Sequence, residues 1–213
     1  MLSYNTWSIL LQGILCLVLL IGCIILVKSE SKHKWFIFIL TISGLVLEGT
    51  DLCSRLLQWN ISNHINYAIS QLLFLSCLTG LYARQFIHMP AYVKYVIYGL
   101  ASILFIISSG WLDVMQQYGF YPNVIISCII CGLTILYFGE VIKKGKVESK
   151  AFVFNIITFF FFAIETIISM TYNFLITNHL NWVAPIWLFR FILLIMFYIS
   201  LIQVGWSMQK NNI

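Results

Sequence analysis

Seven apolar runs take up most of this chain, at approximately 7–27, 35–57, 66–84, 92–112, 121–142, 152–176 and 184–207. A helix needs about 20 predominantly apolar residues to cross the roughly 30 Å hydrocarbon layer of a bilayer, and each run is close to that length. Composition agrees: 61% of residues are hydrophobic and 9% charged, with a mean hydropathy of +0.95, where soluble domains carry about a quarter charged residues. The expected fold is all-α, a polytopic membrane protein in which residues 1–213 form a single seven-helix transmembrane domain. No soluble kinase, cyclase or ATPase module is expected at either end, so signalling or energy coupling would depend on a partner or an ion gradient. The first run starts at Trp7 without a basic leader or a small-residue cleavage site, and reads as a retained helix.

Basic residues set the expected orientation. Lys28, Lys32 and Lys34 separate runs 1 and 2, and Arg84 and Lys94 separate runs 3 and 4. Lys143, Lys144, Lys146 and Lys150 separate runs 5 and 6, and Lys210 follows run 7. The opposite loops hold no basic residue beyond Arg55 at the end of run 2. The positive-inside rule then places the N-terminus outside and the C-terminus inside. The net charge of +5 follows from topology, with the lipid bilayer and not nucleic acid as the partner. A bacterial inner (plasma) membrane is the expected location.

One short pattern occurs twice. Residues 63–74 (NHINYAISQLLF) and 178–189 (NHLNWVAPIWLF) share Asn, His, Asn, Leu and Phe at matching places. Upstream of each lies an apolar segment with a carboxylate inside it, Glu48 or Glu165, and each segment follows a Glu-Ser-Lys, at 30–32 and 148–150. Self-similarity at a long period sets architecture; here it implies a 3+1+3 parallel repeat, with the fourth helix as linker. Parallel repeats of that kind occur in transporters of the SWEET type. PQ-loop proteins share the plan, but neither Pro-Gln signature is present, so the likeness is architectural.

Candidate site residues concentrate in the expected outer half. Glu48, Asp51 and Arg55 are spaced by three and four, which puts them on one helical face. At about 1.5 Å per residue, Glu48 lies roughly 20 Å from the inner boundary. Counting in from the outside along run 7, Arg190 falls at the same depth, and so does Glu165 in run 6. Ser169 and Tyr172 share a face with Glu165, and Asn173 follows. Three carboxylates against two guanidiniums leave one excess negative charge. Either one carboxyl carries a proton, or a cation or polar ligand completes the set. The alternatives are structural: an Asp51–Arg55 pair that ends a helix near water, and a Glu165–Arg190 bridge that pins helix 6 to helix 7. Ionisable groups within a membrane mark function by default, so Glu48, Asp51, Arg55, Glu165, Arg190, Tyr172 and Asn173 form the candidate ligand site.

His64 and His179 occupy equivalent places in the repeat, at the expected outer mouth. They suit sensing of pH or an ion, or simply mark helix entries with Asn63 and Asn178 as N-caps. The six cysteines all fall within runs and read as small packing residues. Tyr121-Pro122-Asn123 reads as a helix entry, and Asn60-Ile61-Ser62 matches a glycosylation acceptor. Glu140 is spaced to pair with Lys143 or Lys144. The first run offers only Gln12 and Gly13 as interruptions.

Several chemistries find no motif here. The chain has no Gly-rich phosphate loop, HExxH or GxSxG, and run 7 has no lysine for a retinal Schiff base. Tyr82-Ala83-Arg84 is not an Asp/Glu-Arg-Tyr pattern, and run 7 has no Asn-Pro-x-x-Tyr, which argues against an ordinary G-protein-coupled receptor. No enzymatic activity, cofactor or metal is expected. Leu47-Glu48 late in run 2, the Asn63 to Tyr67 entry to run 3, Leu136-Tyr137-Phe138 and Trp206 resemble a broad group of small bacterial seven-helix membrane proteins. More distantly, the chain is similar to the seven-helix sensor regions of bacterial histidine kinases. That resemblance implies a sensor or receptor-like subunit that binds a small ligand or ion from outside and acts through a partner signalling protein. The alternative is a small solute or proton-coupled transporter of 3+1+3 architecture. Below Glu48 and Glu165 the polar residues singled out are Thr41, Asn155 and Thr158, a poor inner path for a transporter.

Overall fold

The computed structural model describes residues 4–29, 34–58, 64–110, 121–145 and 148–207. Seven α-helices result: α1 (Tyr4–Lys28), α2 (Lys34–Leu56), α3 (His64–Leu81), α4 (Ala91–Gly110), α5 (Tyr121–Lys144), α6 (Ser149–Asn178) and α7 (Leu180–Ser207). All seven contain spans long and apolar enough to cross a membrane. Large apolar side chains such as Leu17, Ile21, Val46, Ile106, Ile142 and Met170 lie exposed on their outward faces. In water such faces would drive association; against lipid tails they are matched.

The helices follow one another round the bundle. α1 packs on α2, α2 on α3, α5 on α6 and α6 on α7, and α7 returns to α1. α3 also reaches α5, so α4 lies against the outside of α3. Burial shows the same arrangement: half of the α3 span is buried, against 17% of the α4 span. The core between them is apolar, with Leu15, Leu19, Ile37, Leu75, Leu78, Ile130, Phe154, Phe197 and Leu201 almost wholly enclosed.

Glycines mark where helices approach most closely, as small residues do when bilayer helices pack. A methyl group on Gly22 would run into Ile202, one on Gly80 into the Phe36 ring, and one on Gly205 into Leu26. At Gly44 it would stand 3.0 Å from Cζ of Tyr198, whose hydroxyl lies over the glycine. The ends that carry lysines gather at one end of the bundle. There Ser29 Oγ donates to the Gly205 carbonyl at 3.5 Å, the Arg84 guanidinium lies 5.0 Å over the Phe36 ring, and Lys144 pairs with Glu140 at 3.3 Å.

Three local expectations are corrected. The third helix changes at Tyr82 into a π-helical turn, Tyr82–Phe86, closed by Ile87 N–H donating to the Tyr82 carbonyl at 2.9 Å. Pro90 follows at the entry to α4, and extended backbone is favoured ahead of a proline. The seventh helix begins at Leu180, with Pro185 inside it as the sixth residue; the ring removes the one backbone bond that would reach the Asn181 carbonyl, and the helix continues through it. With His179 between them, Asn178 does not directly precede α7. It ends α6, its Nδ2 donating back to the Phe174 carbonyl at 3.3 Å, one of the acceptors a helix end leaves open. Asn63 and the Asn60 to Ser62 acceptor lie outside the described residues.

Candidate ligand site

At the end opposite the lysines, α1, α2, α3, α6 and α7 bring polar side chains inward. Along α2, the i,i+4 spacing closes an ion pair between Asp51 Oδ2 and Arg55 Nε at 2.9 Å. Arg55 also donates from Nη1 to Ser8 Oγ of α1 at 3.1 Å. One helical turn further along α1 lies Gln12, fully enclosed. Its Nε2 donates to Asp51 Oδ2 at 2.6 Å and to Glu48 Oε2 at 3.1 Å. One amide thus joins two carboxylates of α2 to α1.

Across the bundle, Arg190 Nε of α7 donates to Glu165 Oε1 of α6. Glu165 is buried, with 5% of its surface exposed, and its other oxygen accepts from Asn123 Nδ2 of α5 at 3.3 Å. Asn123 also donates to Ser169 Oγ at 2.6 Å. The Arg190 guanidinium is stacked 4.9 Å over the Trp187 ring, a geometry that suits its planar delocalised charge. Burying an ion pair is favourable only when its polar atoms find further bonds, and Asn123 supplies one for the second oxygen of Glu165.

Between the two clusters is a cavity of about 220 Å³. Its polar wall includes Glu48, Asp51, Arg55, Asn66, Ser70 and Arg190; its aromatic wall includes Tyr67, Phe74, Phe161, Trp187 and Tyr198. Five of the sequence-selected residues therefore meet: Glu48, Asp51, Arg55 and Arg190 on the cavity, with Glu165 behind Arg190. The side chains of Tyr172, Asn173 and His64 lie outside the described residues. His179 is exposed at the turn from α6 to α7, its ring 5.3 Å from that of Phe174. Among the described residues, no three His, Cys, Asp or Glu side chains gather to hold a metal ion.

Gln12 and Asn123 carry bonds that sequence reasoning passed over, and Tyr67, Trp187 and Tyr198 line a wall it did not identify. Gln12 had a signal: it is the one hydrogen-bonding side chain between Ser8 and Lys28 of an otherwise apolar helix, where a polar group must find a partner inside the bundle.

Toward the lysine end the cavity floor is aromatic. Phe74 touches Phe197 (5.7 Å between centroids), Phe197 touches Phe154 (6.0 Å), Phe154 touches Phe86 (6.1 Å) and Phe86 touches Tyr137 (5.4 Å). Beside this column the Tyr82 hydroxyl donates to Asn155 Oδ1 at 2.5 Å. Thr41 and Thr158 donate back to carbonyls of their own helices at 2.7 and 2.8 Å.

Seven membrane-length apolar helices around an off-centre polar cavity define an all-helical integral membrane protein. Comparison with protein-family models, curated proteins and solved structures returned no match.

Proposed function

We propose that this chain is a seven-helix sensor or receptor-like protein, oriented N-out and C-in. It takes a small ligand or ion from the outer side and acts through a partner protein, in a bacterial inner membrane. The observation that carries this reading is the cavity itself: charged and aromatic at one end of the bundle, and closed beneath by a continuous column of packed rings. Charged groups inside a membrane bundle are costly and normally face a ligand, a partner or water. Clustering of lysines at the opposite end supports placing the cavity outside. A ligand touching Phe74 would press on a column that ends at Phe86 in the π-helical turn and Tyr137, both beside a second cavity of about 240 Å³ at the lysine end. Packed cores respond to such contacts as discrete rearrangements, which gives a partner something to read.

The second reading is a small-solute or proton-coupled transporter, and the second cavity favours it. Gln85, Glu140, Lys144 and Glu148 on its wall would offer polar groups at the inner end. Exchange of helices 1–3 with 5–7 would also map the α1–α7 contact onto the α5–α3 contact, as a 3+1+3 repeat requires.

One labelling experiment separates them. Ser70→Cys in a cysteine-free background, reconstituted with known orientation, should react with a membrane-impermeant maleimide added outside and stay unreactive from inside. Reaction from both sides would favour the transporter, and no reaction from outside would remove the outward-facing cavity.

A further inference from the structure

Resting on the cavity reading above, we infer that its ligand is a small organic cation whose ammonium group pairs with Glu48. The three carboxylates and two guanidiniums of the site leave one negative charge in excess, and the geometry assigns it. Arg55 is committed to Asp51 at 2.9 Å and to Ser8. Arg190 is committed to Glu165 and stacked on Trp187. Among the described residues Glu48 has no cationic side chain within ion-pair distance, and its carboxylate is met by the neutral Gln12 amide at 3.1 Å. That amide is itself fully buried, and its Oε1 has no partner among the described residues. Its N–H groups point at the carboxylates while its carbonyl goes without a bond, so donors at this place are in short supply.

The ligand classes separate on charge and size. An anion would meet Glu48 and Asp51 with both guanidiniums already neutralised, and a neutral molecule would fit only with Glu48 carrying a proton. A metal ion lacks the clustered ligands that would hold it among the described residues. An ammonium answers the charge, and Tyr67, Phe74 and Tyr198 line the same cavity, aromatic rings of the kind that attract organic cations. The volume of about 220 Å³ lies below the roughly 300–1,000 Å³ typical of drug-sized sites, which selects small amines.

The test is protection of Ser70→Cys from the external maleimide. The probes are methylammonium, ethanolamine and choline, against 3,3-dimethyl-1-butanol, the uncharged isostere of choline. At least one ammonium probe should slow labelling about tenfold when present at about ten times its Kd, at concentrations where the alcohol has no effect. Glu48→Gln should keep the labelling and lose the protection, and Glu48→Asp, which keeps the charge, should retain part of it. Protection by the alcohol equal to that by choline, protection unchanged in Glu48→Gln, or no protection by any ammonium probe would overturn the assignment while leaving the labelled cavity in place. Absence of external labelling in the unliganded protein would instead bring down the cavity reading itself.

Discussion

Arg190 is held from two sides, by the Glu165 carboxylate through Nε and by the Trp187 ring beneath its plane. The pair joins α6 to α7 where both helices face the cavity. Breaking a buried pair by deleting one partner leaves an uncompensated charge and typically costs about 3–5 kcal/mol, whereas replacing both partners with uncharged groups is often close to neutral. Arg190→Leu should therefore lower the thermal unfolding midpoint in detergent markedly, and adding Glu165→Gln should restore most of the loss. Arg190→Lys should fall between, because an ammonium keeps the charge but loses the stacked plane. A double variant no more stable than Arg190→Leu would mean that the pair contributes through shape alone.

Between elements, the closest approach of α3 to α2 is set by Gly80, over which the Phe36 ring lies. That ring cannot swing away freely, since the Arg84 guanidinium covers it at 5.0 Å. Gly80→Ala should thus overpack the contact and cost about 1–3 kcal/mol. Gly49 sits in α2 with nothing within 4 Å of where a methyl would go. There the substitution to Ala should be neutral or gain up to about 1 kcal/mol through helix propensity. Unfolding midpoints of the two variants check the contrast, and equal effects would show that α2 and α3 do not meet as described. The same α2–α3 packing positions Glu48 and Ser70 on a common wall.

For the whole molecule, the lysines act through their common end. Lys94 and Lys143 belong to different helices, both at the lysine end of the bundle, and the proposed orientation puts that end inside. An impermeant amine-reactive ester should modify both in inside-out vesicles and neither in right-side-out vesicles. The reverse pattern would turn the cavity to the cytoplasm and exclude an extracellular ligand. This outcome is independent of the unfolding experiments, because orientation follows charge at the loops while stability follows packing within the bundle.

Seven spans, the gathering of lysines at one end, and the charges of the polar face could be read directly from residue order. Run length against bilayer thickness is a one-dimensional constraint, and helical rise fixes depth, so Glu165 and Arg190 could be matched across two helices before their contact was seen. Face and depth did not reveal partners more distant in the chain. Gln12 and Asn123 have no charged neighbour in their own helices at their depth, and nothing local says that one will join Glu48 to Asp51 and the other will hold Glu165 to Ser169. The start of α7 was misplaced because Pro185 lies inside the helix and not at its entry: the ring costs one i→i−4 bond, a local loss in a helix packed against α6 and α1. Which carboxylate is left without an arginine was decided only when the helices packed. Charge balance is a sum over the chain, whereas ion pairing depends on distances that sequence order does not contain.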